Sequence, residues 1–75
     1  MTNLQNDLIL VGATGRLGSS ILKTNSISYG ICSSENPLRG KKIGNLSYPL
    51  LGSLLEIPKD KLKNPVVIDA SYPDN

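Results

Sequence analysis

The sequence contains no histidine, no tryptophan and no phenylalanine. Without an imidazole there is no Ser–His–Asp or Cys–His pair, no histidine general base and almost no zinc chemistry. Its aromatic residues are Tyr29, Tyr48 and Tyr72 alone, so the core has to be built from aliphatic side chains. A single cysteine, Cys32, excludes an internal disulfide and with it the stapled scaffold of a small secreted domain. It reads as a small buried hydrophobe. Long apolar runs are missing too: the longest, Leu8 to Val11, has four residues, against roughly 20 for a membrane span. The stretch from Met1 to Asp7 has neither the basic region nor the apolar segment of a signal peptide. Eight basic against six acidic residues leave a net charge of +2, too mild to argue for nucleic acid or a membrane surface. The expectation is a cytosolic protein with neither of those partners.

What is present fits one small unit. A chain of 75 residues is a single domain or part of one, and such a chain buries only about 60% of its unfolded surface. Asp7 to Val11 is an aliphatic run ending at Gly12, as in a strand buried on both faces. Leu17, Ile21 and Leu22 then recur at helical spacing over Arg16 to Lys23, with Asn25 just beyond. Ile27 to Cys32 suits a second strand, Ser33 to Ser47 a long polar loop, and Tyr48 to Leu51 a short third strand confined by Pro49. Pro58 either opens a short helix or breaks a longer one within Leu54 to Leu62. Val66 to Asp69 reads as a buried strand, and Pro73-Asp74 as the first turn of a helix beyond it. This alternation predicts an α/β protein, the amino-terminal half of a Rossmann-like, doubly wound parallel sheet. The first strand should lie centrally, the second and third to one side and the last to the other.

The segment Leu8-Ile-Leu-Val-Gly12-Ala-Thr-Gly15-Arg-Leu-Gly18 carries the chemistry. Gly12 suits a sharp strand-to-helix turn, Gly15 would let a pyrophosphate approach the main chain, and Gly18 would let the helix lie close on the strand. Amide donors and the positive end of the helix dipole would hold the phosphates, with the charge of Arg16 beside them. A G-x-x-G-x-x-G spacing alone is a weak signal and departs from G-x-G-x-x-G; its meaning comes from the strand before it and the helix after it.

Three pieces of the chain resemble the amino-terminal domain of the dihydrodipicolinate reductases. Val11-Gly12-Ala-Thr-Gly15-Arg16-Leu17-Gly18 is similar to that family's glycine turn, with Leu17 where Met is usual. Asn36 to Gly44 resembles its loop after the second strand, and Val66 to Pro73 its strand and turn toward the nicotinamide. The resemblance implies the NADPH- or NADH-binding portion of a reductase of lysine and diaminopimelate biosynthesis. Residues 1–75 would then be one partial dinucleotide-binding domain without the substrate domain. The family's proton donor has no counterpart here, so no catalytic residue is assigned and the chain alone should be catalytically incomplete. A free-standing, non-catalytic nucleotide-binding module and the start of an atypical short-chain reductase stay open as alternatives.

The cofactor-binding candidates are Gly12, Ala13, Thr14, Gly15, Arg16, Leu17 and Gly18 of the turn, Ser33, Ser34 and Glu35 after the second strand, and Ser71. The family usually ends its second strand with an acidic residue on the ribose. Cys32 or Ser33 stands at that place, and Glu35 would reach the ribose only from a longer turn. Ser33 and Ser34 would instead donate to a 2′-phosphate, and an ordinary polar turn explains all three equally well. NAD against NADP is therefore open. Asp69 ends its strand where ligands bind in such sheets, or caps the turn at Ser71. Arg39, Lys41 and Lys42 form a basic patch, while Lys59 to Lys63 has the charge alternation of a solvated surface. The strand Val66 to Asp69 has no later strand to pair with, so self-association or a partner completing the sheet is expected.

Overall fold

The structure, a computed structural model, describes residues 6–71. Strand β1 (Leu8–Val11) leads through the glycine turn into helix α1 (Arg16–Thr24), and β2 (Tyr29–Ile31) follows. A long irregular stretch with two short 3-10 turns, Leu54–Glu56 and Lys59–Lys61, precedes β3 (Val66–Asp69). The three strands form one parallel sheet in the order β2-β1-β3. The fold is thus α/β with β1 central, as the sequence predicts.

Alternation along β1 divides the core in two. Leu10 points to the α1 side, where Ala13, Leu22, Ile27, Leu46 and Leu50 close around it. Ile9 points the other way, against Tyr29, Ile31 and Ile57. Leu10, Leu22, Ile27 and Leu50 are the largest fully buried side chains, each worth about 1.5–3 kcal/mol of transfer free energy. Helix α1 ends under external control: the Asn25 amide donates to the Ile21 carbonyl at 2.9 Å, and the Asn45 side chain donates to the Leu22 carbonyl at 2.8 Å. These bonds satisfy carbonyls that the last turn leaves without helical partners.

Three expectations change. The second strand is shorter than Ile27 to Cys32, because Ile27 turns aside into a single bridge with Leu46. Tyr48 to Leu51 forms no strand. Leu51 makes one parallel bridge to Ile31, on the expected outer side of β2. Leu50 is instead tied back to its own loop, through Gly40 N–H to the Leu50 carbonyl and Leu50 N–H to the Lys41 carbonyl. Leu54 to Leu62 agrees with its expectation, since Pro58 opens the short 3-10 turn Lys59–Lys61. Pro58 lacks the donor a continuous helix needs, and the 3-10 turns stand on either side of it. Finally, β3 is exposed where burial was expected: Val66 is 41% and Val67 56% accessible, because no described element packs over them. The expected helical turn at Pro73-Asp74 lies outside the described residues.

Candidate functional site

The turn from β1 into α1 is held by β2. The amides of Gly12 and Ala13 both donate to the Ile31 carbonyl at 3.0 Å, and the Gly15 amide donates to the Gly12 carbonyl at 3.1 Å. Gly12 has φ +79°, which side chains rarely tolerate, and a Cβ there would lie 2.8 Å from the Ser71 nitrogen. At Gly18 a Cβ would overlap the Gly12 carbonyl oxygen and come within 2.8 Å of the Ala13 Cα. These two glycines are required by the packing of the protein itself.

Gly15 is different. Its φ of −76° suits any residue, and a Cβ would meet only the Gly12 carbonyl oxygen, at an ordinary 3.5 Å. Gly15 sits exposed at the N-cap of α1 with no capping side chain. Among the described residues, the amides of Arg16, Leu17 and Gly18 donate to no backbone or side-chain acceptor. Those are the first donors of the helix, and the first turn carries no acidic residue to complement them. Arg16 is exposed and forms no ion pair among the described residues.

The other candidates take distinct places. Ala13 is fully buried in the core, so its side chain serves packing and its amide is already engaged by Ile31. Leu17 is partly exposed on the outer side of the first helical turn. Thr14 is half-buried, and its Oγ1 accepts from the Asn36 side-chain amide at 3.2 Å. That bond brings the loop carrying Ser33, Ser34 and Glu35 to the glycine turn; all three are exposed, and the Glu35 amide donates to Ser33 Oγ at 3.4 Å. Asn36 is the residue that sequence reasoning missed at this junction. In sequence it is one more polar residue before a proline, with no signal of the partner 22 positions away.

Ser71 lies against Gly12, which places the exit of β3 beside the turn. Its hydroxyl and its amide both donate to the Asp69 carboxylate. Of the two readings of Asp69, capping the Ser71 turn is the one with geometry behind it. The Ser71 hydroxyl first, then its amide, holds the exposed Asp69 carboxyl below the usual range. Tyr72 lies outside the described residues. Cys32 is buried as expected, and burial pushes its thiol up despite the opposing charge of Arg39.

Of the basic patch, Arg39 lies along Gly52 and pairs with Glu56 at 3.3 Å, and like Lys41 and Lys42 it is exposed. A cleft of about 850 Å³ lies beside Arg39, Tyr48 and Lys63 and takes no residue from the glycine turn. Volume and phosphate-type chemistry therefore fall in different places. Among the described residues no group of three or more Cys, Asp or Glu is set to hold a metal ion, and no helix is long and apolar enough to cross a membrane.

Family models, curated proteins and solved structures were each compared with the chain, and none matches it. The resemblance to the reductase family rests on the three motifs alone.

Proposed function

We propose that this chain binds NADPH or NADH through the glycine turn, as the amino-terminal portion of a Rossmann-like dinucleotide domain in a reductase resembling the dihydrodipicolinate reductases. One observation carries the reading. Gly12 and Gly18 are explained by the protein's own packing, whereas none of the described residues requires glycine at position 15. A glycine that the described packing does not call for, beside three helix amides that lack acceptors among the described residues, suits a pyrophosphate laid against the main chain.

In this reading the amides of Arg16, Leu17 and Gly18 donate to phosphate oxygens and Arg16 adds a charge-assisted contact. The loop carrying Ser33, Ser34 and Glu35, tied to Thr14 through Asn36, borders the ribose. A bound nicotinamide supplies hydride chemistry; this chain contributes binding and orientation, and we assign it no proton-transferring residue. The outer edge of β3 is assigned to a pairing strand, from a second copy or a partner.

Calorimetric titration tests the site. NADH or NADPH is expected to bind weakly to the wild type and not at all to Gly15→Val, whose branched side chain occupies the space above the turn. Equal affinity in the two folded proteins would overturn the reading.

A further inference from the structure

The large cleft is built differently from the glycine turn and shares none of its residues. Both of its acidic side chains accept hydrogen bonds from the protein, and Glu56 alone of the two is paired with a cation. Asp7 accepts from Ser28 Oγ at 3.1 Å and from the Lys63 amide at 2.7 Å, and Glu56 accepts from the Gly52 amide at 2.9 Å while pairing with Arg39. The ammonium groups of Lys61 and Lys63, which also line the cleft, pair with no carboxylate among the described residues. Among the described residues the cleft therefore sets two cations without a carboxylate partner, Lys61 and Lys63, against one carboxylate without a cationic partner, Asp7.

It also has an aromatic wall. The ring of Tyr48 stacks on Tyr29 with centroids 4.8 Å apart and planes 11° from parallel. Tyr29 is buried, whereas Tyr48 is 50% exposed. A ring braced from behind loses little conformational freedom when a ligand lies against it. A volume of about 850 Å³ is also far larger than a bare inorganic anion needs and falls within the range of small-molecule sites.

We propose that this cleft is a second binding site, for a small molecule combining a flat ring with an anionic group, of the nucleoside monophosphate class. The ring lies against Tyr48 and the anion sits with Lys61 and Lys63. Aromatic stacking tolerates any base, so selectivity rests on having ring and charge together.

The test uses the full chain carrying Gly15→Val, so that the glycine turn does not contribute, with adenosine monophosphate as the ligand. NMR shifts should appear at Tyr48, Lys61 and Lys63, with adenosine alone and inorganic phosphate alone each binding more weakly. Adding Tyr48→Leu should weaken binding about tenfold. Adding Lys61→Ala with Lys63→Ala should weaken it and flatten its salt dependence. The backbone bond from Lys63 to Asp7 survives that change, and the wild type, read at Tyr48, serves if Gly15→Val does not fold. Absent shifts at Tyr48, affinity unchanged by both sets of substitutions, or phosphate binding as tightly as the monophosphate would each overturn the proposal. None of these outcomes bears on the glycine turn, which stands or falls on the dinucleotide titration of the wild type against Gly15→Val.

Discussion

Three glycines at three-residue intervals look equivalent in the sequence and differ in what they would cost to replace. Gly18→Ala forces a methyl into the Gly12 carbonyl, an overpacking worth about 1–3 kcal/mol or more. In a domain this small it should lower the melting temperature sharply or prevent folding. Gly15→Ala meets only an ordinary contact and should melt within a few degrees of the wild type, apart from a modest loss at the N-cap. Calorimetric melting of the two variants checks the contrast, and equal destabilisation would count against the turn as described. Asp69 and Cys32 respond to pH in opposite senses. The Asp69 carboxyl is depressed, chiefly by the Ser71 hydroxyl. Its contribution to stability is present above the unfolded value and is lost as pH falls through the folded one. Ser71→Ala should raise its NMR titration midpoint toward the ordinary aspartate range; an unmoved midpoint would refute the assignment. The Cys32 thiol is raised by burial. Its contribution is present below the ordinary cysteine value and is lost as pH rises through the folded one.

At the level of elements, β3 makes the sharpest forecast. Val66 donates to the Asp7 carbonyl and Ala70 to the Val11 carbonyl, so alternate residues of β3 face β1. Val67 and Asp69 then direct their backbone groups to the open edge. Hydrogen exchange should be slow at Ile68 and fast at Val67 in dilute solution. If the edge pairs with a second copy, the Val67 amide should become protected as concentration rises, and Val67→Lys should remove that protection. A Val67 amide indifferent to concentration would argue against self-association. Strand β3 also marks how far the sequence can be read. The aliphatic run Val66 to Ile68 announces a strand, but the same letters describe a buried strand and one left open. Strand β1 and helix α1 are legible because their signals are local: a short aliphatic run, then Leu17, Ile21 and Leu22 one helical turn apart. The stretch between β2 and β3 is not. Its shape depends on distant backbone bonds, such as Leu51 to Gly30 and Gly40 to Leu50, which impose no periodicity on the side chains. The glycine turn was visible from its spacing. Its link to the following loop was not, because one asparagine side chain makes it.

For the molecule as a whole, the one helix and three short strands of the described residues leave little reserve. A core of this size supports about 3–5 kcal/mol at most, so ligand binding should register as a measurable rise in melting temperature. Under the proposed reading the purified chain should show no reductase turnover, since no described residue is assigned to donate a proton and no described element forms a second wall to exclude water from a nicotinamide. Turnover of the cyclic lysine precursor by the chain alone would refute that assignment. The unequal roles of the glycines bear on how such a sequence can vary. In a library screened only for folded protein, positions 12 and 18 should stay glycine, and as a pair, since the carbonyl of one occupies the space a side chain of the other would need. Position 15 should drift freely. Screened for ligand retention, position 15 should stop drifting. The difference between those two substitution spectra would separate what the chain needs in order to exist from what it needs in order to act.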